Sequence, residues 1–140
     1  MVGEKPISWN AVDREGPQVP GMRADLFVPA RGGRSVIVEC KCEKDPFDRG
    51  RAILKSRHPY QLWAYLTNYA RTRSEEVRPL GVLLYATVNS SFNYEYELPG
   101  YPLRVRSLDL GQQRPDLRQD LLNFADELAE ATGAEVRPAA

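Results

Sequence analysis

Residues 36–42 read VIVECKC, and this stretch decides both the fold class and the candidate site. Its first three residues are apolar and β-branched, which is typical of a strand buried inside a sheet. The strand continues without a turn into Glu39 and Lys41, although burying a charge is costly unless another charge or a metal ion compensates it. Because one position separates these two residues, both side chains project from the same face of the strand.

The segment before it, residues 22–28 (MRADLFV), alternates in polarity. It predicts a second strand, with Asp25 on the odd-numbered face and apolar residues on the other. The glycine pair at 32–33 tolerates positive φ and predicts a hairpin-like link between the two strands. The hairpin brings Asp25 next to Glu39, and two facing carboxylates repel unless a cation lies between them. We therefore expect a site for Mg²⁺, or for Mn²⁺ in its place, formed by both carboxylates and the backbone carbonyl of Cys40.

The same residues have a simpler interpretation, in which Asp25 or Glu39 forms a cross-strand ion pair with Lys41 at the rim of the sheet. In the metal-site interpretation, Lys41 lies beside the cation, where an ammonium group orients water and offsets charge on a phosphate. Both interpretations place Lys41 next to a carboxylate. They differ in whether the cluster only stabilises the strands or performs chemistry.

A helix is predicted from Pro59 to Arg73, because proline suits the first turn and apolar residues recur at helical spacing. The apolar positions are Leu62, Tyr65, Leu66 and Tyr69. Gln61 and Tyr65 share one face at i and i+4, and a buried amide requires hydrogen-bond partners. Those partners are a metal-bound water or a DNA phosphate if Gln61 belongs to the site. Otherwise Gln61 caps a backbone group and Tyr65 belongs to the core.

The remaining elements complete a mixed α/β domain. We expect a first strand at residues 7–12, two or three strands between residues 78 and 110, and a helix from Pro115 to about Ala131. The apolar face of this helix consists of Leu117, Leu121, Leu122, Phe124 and Leu128. Strands on both sides of a central helix predict a central mixed β-sheet flanked by helices. The 140 residues suit one domain at 1–132, with a flexible tail at 133–140.

The composition limits the classes of partner and compartment. Nineteen basic and nineteen acidic side chains give a formal net charge of zero, so the chain lacks the global basic signature of a nucleic-acid binder. No run of about 18 apolar residues is present to span a membrane, and the first residues lack the apolar core of a signal peptide. The two cysteines form a CxC pair without a second pair, so we expect reduced thiols in a cytoplasmic protein.

A local basic patch suffices for DNA binding even when the net charge is zero. Arg49, Arg51, Lys55 and Arg57 form such a stretch just before the predicted helix. His58 follows it, either as a phosphate contact, as a cap or as an exposed loop residue. Arg104 and Arg106 share one face of their strand, which points either to DNA or to solvent.

Taken in order, the motifs D…ECK…QLWAY resemble the PD-(D/E)XK nucleases with the QxxxY extension of RecB-like enzymes. The resemblance is stronger to the C-terminal nuclease domain of the McrC family, the cleavage subunits of McrBC-type, modified-cytosine-dependent restriction systems. It runs through residues 7–128, with Ala24 in place of the proline that names the superfamily. It implies a restriction-endonuclease-like core, here without the usual initial helix and without the N-terminal region that engages the partner GTPase.

The resemblance also implies a role for each matching residue. Asp25 and Glu39 match the metal-binding carboxylates, Lys41 matches the catalytic lysine, and Gln61 and Tyr65 match the QxxxY pair. The implied activity is Mg²⁺-dependent hydrolysis of DNA phosphodiester bonds, with an McrB-like AAA+ GTPase as partner. Cutting both strands requires either two active sites, as in a homodimer, or two successive events. The chain has no GxxxxGK[ST] sequence, so nucleotide hydrolysis belongs to another chain. The alternative is a catalytically inactive nuclease-fold scaffold that docks DNA or the GTPase.

Overall fold

A computed structural model describes residues 3–7, 22–42, 57–71, 73 and 77–134. The strands are β1 (Gly3–Ile7), β2 (Met22–Val28), β3 (Val36–Cys42), β4 (Leu80–Thr87), β5 (Asn93–Leu98) and β6 (Tyr101–Asp109). The helices are α1 (Arg57–Arg71), which precedes β4, and α2 (Arg114–Thr132), which follows β6. Across these described ranges, neither helix is long and apolar enough to cross a membrane.

The strands form one six-stranded sheet in the order β1-β2-β3-β4-β6-β5. β3, β4 and β6 run parallel, whereas β1, β2 and β5 pair antiparallel with their neighbours. The predicted mixed sheet flanked by helices is confirmed, and it is compatible with a restriction-endonuclease-like core. The first strand described is Gly3–Ile7, and α1 runs from Arg57 to Arg71, so it begins and ends two residues before the predicted bounds. The predicted strand at residues 7–12 falls, apart from Ile7, outside the described residues.

The two helices cover opposite faces of the sheet, which we call the α1 face and the α2 face. On the α1 face, Leu62 and Leu66 pack into a core that includes Ile37 of β3. On the α2 face, Leu128 packs into a second core that includes Val38 of the same strand. Successive residues of β3 therefore enter the two cores in turn. Because both faces of the strand are buried there, residues 36–38 are all apolar.

β2 departs from strict alternation next to Asp25. Between Ala24 and Phe27 it advances three residues while β1 advances two, from Lys5 to Gly3, so the register shifts. This extra residue is a β-bulge, and it directs Ala24 and Phe27 into the same α1-face core although they are three positions apart. The predicted alternation is therefore wrong at this point. Asp25 lies inside the bulge, where the direction of the strand changes.

The connection between β2 and β3 is fixed to the C-terminal end of α2 by backbone hydrogen bonds. The N–H groups of Arg31 and Gly33 donate to the carbonyl of Thr132 at 2.6 and 3.0 Å. A helix C-terminus leaves carbonyls unsatisfied, so these bonds cap α2. The same bonds hold the hairpin whose strands carry the candidate site.

Replacing Gly33 by Ala will destabilise the fold. An added Cβ would lie 2.5 Å from the carbonyl oxygen of Ala131 and 2.9 Å from the nitrogen of Gly133. Because these neighbours are backbone atoms, we expect the free energy of unfolding to fall by about 1–3 kcal/mol in urea denaturation. The comparison variant is Gly32→Asn, where nothing lies within 4 Å of an added Cβ and the only strain is that of a side chain at φ +92°. Asn adopts positive φ more readily than most residues, so its loss should be the smaller one, and equal losses in the two variants would contradict the role assigned to Gly33.

Only the C-terminal half of α2 packs tightly against the sheet. Leu128 is 7% exposed, whereas Leu121 and Leu122 are 47% and 37% exposed. The predicted continuous apolar face is wrong for these two leucines. Beside Leu121 a cleft of about 320 Å³ is lined in part by Leu84 of β4 and Arg106 of β6. A cleft that the leucines do not fill therefore lies between the sheet and this half of the helix.

Candidate functional site

A reciprocal pair of side-chain to backbone hydrogen bonds joins β2 and β3 just beyond the end of their ladder. Their ladder pairs Leu26 with Val38, and one further step in this register brings Asp25 opposite Glu39. There the Asp25 N–H donates to Glu39 Oε1 at 3.1 Å, and the Cys40 N–H donates to Asp25 Oδ2 at 2.9 Å. The two predicted acidic residues therefore meet at one end of the hairpin, and each fixes the partner strand.

The two carboxylates differ in their surroundings. Glu39 is buried, with 3% of the residue exposed, while Asp25 is exposed. Burial, followed by the negative charge of Asp25, raises the pKa of Glu39 from its ordinary 4.5 to about 7. A carboxyl group with such a pKa takes up a proton or a cation near neutral pH. The electrostatics of the pair therefore favour a bound cation.

Lys41, Gln61 and Tyr65 form a hydrogen-bonded relay next to the carboxylates. Lys41 Nζ donates to Gln61 Oε1 at 2.6 Å, and Gln61 Nε2 donates to the Tyr65 hydroxyl at 2.8 Å. Lys41 Nζ also lies 3.8 Å from Glu39 Oε2. Because Tyr65 accepts from the amide nitrogen, the amide oxygen faces Lys41. Burial raises the pKa of the Tyr65 phenol, so this end of the relay stays neutral.

The relay differs from both sequence-based interpretations of Gln61, which expected a bond to water or phosphate, or to a backbone group. Gln61 instead bonds to two side chains, those of Lys41 and Tyr65. It is therefore suited to position the Lys41 amine. The structure brings together all five side chains predicted for the site.

Tyr85 and His58 lie next to this cluster. Tyr85 was not among the site residues predicted from the sequence. Tyr85 is the register partner of Lys41 in β4, and its hydroxyl lies 2.7 Å from Nδ1 of His58. His58 is 2% exposed and belongs to α1, so it is not an exposed loop residue, and its contact with a phosphate stays a prediction. The available signal was that Tyr85 is the one polar side chain in the apolar run Leu80–Ala86.

The donor set fits a hard divalent cation. Asp25 and Glu39 each bond one backbone N–H through one oxygen, and each carboxylate has a second oxygen. Such ligands suit Mg²⁺ and Mn²⁺. Within the described ranges, no group of three or more His, Cys, Asp or Glu could hold a metal ion. Further ligands would come from water, from substrate or from a backbone carbonyl, for which that of Cys40 remains the prediction.

The surroundings of Cys40 disfavour the thiolate that a soft ligand or a nucleophile requires. Burial, and then the charges of Asp25 and Glu39, raise the pKa of the Cys40 thiol. A protonated thiol is neither a strong nucleophile nor a metal ligand. Cys40 contributes to the site through its backbone, whose N–H holds Asp25.

The basic stretch predicted to bind DNA is described only in part. Arg49, Arg51 and Lys55 lie outside the described residues. Arg57 is exposed at the first residue of α1, and its Nε donates to Nε2 of His58 at 3.2 Å. The DNA-binding role of this stretch therefore stays a prediction.

Arg104 and Arg106 form ion pairs with carboxylates on the α2 face. Arg106 Nη2 lies 2.9 Å from Glu127 Oε1 of α2, and Arg104 Nη1 lies 3.2 Å from the same oxygen. Both arginines also pair with Glu95 of β5, at 3.3 and 3.6 Å. They therefore connect β5 and β6 to α2 on the face opposite the site.

No protein-family model matches this chain. The chain is similar to the type IV methyl-directed restriction enzyme EcoKMcrBC of Escherichia coli (strain K12), with 28% identity over 86% of this chain. The match covers 35% of that protein, so the chain spans about a third of its length. The predicted relationship to the McrC family is confirmed by this similarity.

Proposed function

We propose that this relative of the McrC family is a metal-dependent DNA endonuclease domain that acts as the cleavage subunit of a restriction system, or as part of one. The observation that carries the proposal is the meeting of Asp25 and Glu39 beside Lys41, whose amine is held by Gln61. This arrangement combines acidic oxygens for a cation with a fixed ammonium group. Phosphodiester hydrolysis uses this combination, because negative charge develops at the phosphate.

The contacts of each residue support a distinct role. Asp25, Glu39 and the carbonyl of Cys40 would hold Mg²⁺ or Mn²⁺, which when bound polarises a phosphate oxygen and lowers the pKa of water. The Lys41 ammonium has three N–H donors, and Gln61 takes one of them. The others can orient water or bind a phosphate oxygen. Gln61 acts as a positioning residue, and Tyr65 fixes the orientation of its amide.

We propose partners for the assembly from the relationship to the McrC family. An McrB-like AAA+ GTPase would couple nucleotide hydrolysis to cleavage, since the chain has no P-loop sequence of its own. DNA is the proposed substrate. A second copy of the chain would supply a second site for cutting both strands.

Cleavage of supercoiled plasmid tests the proposed function. The protein is first stripped of metal with EDTA, and Mg²⁺ or Mn²⁺ is then added, with and without an McrB-like GTPase and GTP. We expect nicked or linear DNA only where a metal is present. In the absence of DNA, either metal should raise the melting temperature, because a ligand that binds only the folded state stabilises it.

The outcomes separate the enzyme from the alternative. Metal-dependent cleavage that Asp25→Ala abolishes supports the nuclease. A protein that neither cuts DNA in any mixture nor gains stability from millimolar metal is instead a catalytically inactive nuclease-fold scaffold. The remaining role of such a scaffold would be to dock DNA or the GTPase.

A further inference from the structure

A row of aromatic rings leads from the candidate site to the edge of the sheet along the α1 face. Tyr85, the register partner of Lys41, lies 5.9 Å from Phe92 between ring centroids. Phe92 stacks on Tyr94 at 5.8 Å with an interplanar angle of 11°, and Tyr94 lies 6.4 Å from Tyr96. The row thus runs from the interior beside the site to the edge strand β5.

The outer end of this row is exposed. Tyr94 and Tyr96 are each 41% exposed, and Trp63 of α1 is 38% exposed. The indole N–H of Trp63 donates to the carbonyl of Pro99 at 3.1 Å, which fixes the ring against the turn between β5 and β6. We call Trp63, Tyr94 and Tyr96 the aromatic surface. Grouped exposed aromatic rings, unlike scattered ones, indicate a binding site.

The carboxylates of β5 point away from the aromatic surface. Glu95 pairs with Arg106 at 3.3 Å on the α2 face, and strand alternation directs Glu97 to that face as well. Beside the turn, the Arg78 guanidinium lies 5.4 Å from the ring centroid of Tyr101, a residue of the α1-face core. The charge next to the aromatic surface is therefore cationic at Arg78, and a polyanion can approach the rings without facing the acidic side of β5.

We propose that the aromatic surface binds the bases of a DNA strand that passes through the candidate site, and holds them unstacked from their neighbours. The inference rests on the proposed function for the identity of the nucleic acid. Aromatic side chains stack on bases of any sequence, because every base has a π-face. Such a surface suits a chain whose formal net charge is zero, since contacts to bases add affinity that phosphate contacts alone would not provide.

The spacing of the strands sets how far from the candidate site the bases are held. Three interstrand steps separate β3 from β5, or about 14 Å at roughly 4.8 Å each. The bases are therefore held a few nucleotides away from the bond that is cut.

Binding of a fluorescein-labelled single-stranded oligodeoxynucleotide, measured by anisotropy in EDTA, tests the proposal in the absence of cleavage. Replacing Tyr94 and Tyr96 together by Ala should weaken binding about 100-fold, at roughly tenfold for each ring. An oligomer of abasic sites carries the same phosphates without bases. The parent protein should bind it about as weakly as the double Ala variant binds the normal oligomer.

Matched variants separate stacking from a structural role. Tyr94→Phe combined with Tyr96→Phe should bind like the parent, because phenyl rings also stack. Leu122→Ala removes a side chain of similar exposure, 37%, from the α2 face and should leave binding unchanged. The salt dependence of binding should have the same slope in the parent and in the double Ala variant, since no phosphate contact is lost.

The proposal would be overturned if the parent did not bind the oligomer, if the double Ala variant bound it equally well, or if the abasic oligomer bound equally well. It would also be overturned if the parent self-associated in sedimentation and the double Ala variant did not, because the surface would then belong to an interface with a second copy. Cleavage in Mg²⁺ reports separately on the proposed function. If the parent cuts DNA and the double Ala variant binds and cuts equally well, only the proposal for the aromatic surface is rejected. If the parent binds bases through these rings and never cuts DNA, only the proposed nuclease function is rejected.

Discussion

Replacing Lys41 by Met will lower the rate of metal-dependent DNA cleavage by about 10³-fold. The Lys41 side chain is 20% exposed, and its amine is held 2.6 Å from Gln61 Oε1 and 3.8 Å from Glu39 Oε2. This restraint prepares the amine for a phosphate or a water before the substrate arrives, so little reorganisation is needed in the transition state. Methionine keeps the apolar stem and removes only the charge and the donors. Single-turnover cleavage at fixed Mg²⁺ measures the loss.

Two further variants define what the loss means. Arg118→Met removes the same unit of charge from an exposed position on α2 and should cut at the parental rate. Gln61→Leu leaves the amine in place without its acceptor, so we expect a smaller loss of about tenfold. A Lys41→Met protein that folds normally and cuts as fast as the parent would exclude Lys41 from the chemistry. Equal losses in Gln61→Leu and Lys41→Met would mean that the Lys41 amine contributes to the rate only when Gln61 holds it in position.

The site was predictable from sequence because its geometry follows from short-range periodicity. Glu39 and Lys41 share a face by strand alternation, and Gln61 and Tyr65 share a face by the helical repeat. The hairpin register needed only the glycine pair at 32–33 to bring Asp25 opposite Glu39. Each of these relations depends on residues close together in the chain or joined by one turn.

The features that the sequence did not predict depend on contacts between distant elements. The bulge at Asp25 arises from the pairing of β2 with β1, whose partner residues lie about 20 positions away. His58 is buried next to Tyr85 of β4, and Leu121 lies at a cleft between α2 and the sheet. Helical periodicity gives the direction of a side chain and says nothing about what another element places opposite it.

The raised pKa of Glu39 is the most consequential of these features, because ionisation of this buried carboxyl group lowers the free energy of unfolding of the metal-free protein. Exchanging Glu39 for Gln should raise the stability of the metal-free protein at pH 8. The folded-state pKa is about 7 against an ordinary 4.5, so the protonated form is favoured on folding. The favourable contribution of Glu39 to the free energy of unfolding is therefore full below pH of about 4.5. It is lost as pH rises through about 7, a change on the order of 3 kcal/mol. Gln has no proton to lose and keeps an oxygen to accept from the Asp25 N–H.

Urea denaturation in EDTA between pH 5 and pH 8 measures this effect. The parent should lose stability across the range, whereas the Glu39→Gln variant should show a flatter profile and exceed the parent at pH 8. Glu130→Gln makes the same chemical change at an exposed position of α2 and should follow the parent at every pH. A Glu39→Gln protein that is less stable than the parent at pH 8 would show that the carboxylate contributes to the fold more than its burial costs.

Adding Mn²⁺ should reverse the order of stability. The cation compensates the charge of Glu39 and Asp25 in the parent, and at a concentration 100 times its Kd it should add about 2.7 kcal/mol. Glu39→Gln and Asp25→Asn each remove a charged ligand, so both should lose most of this gain. Because a proton on Glu39 competes with the metal, Mn²⁺ affinity in the parent should fall about tenfold per pH unit below pH 7. A gain that is the same at pH 6 and pH 8, or that survives in Glu39→Gln, would mean that the metal binds elsewhere, and the buried carboxylate would then need another explanation.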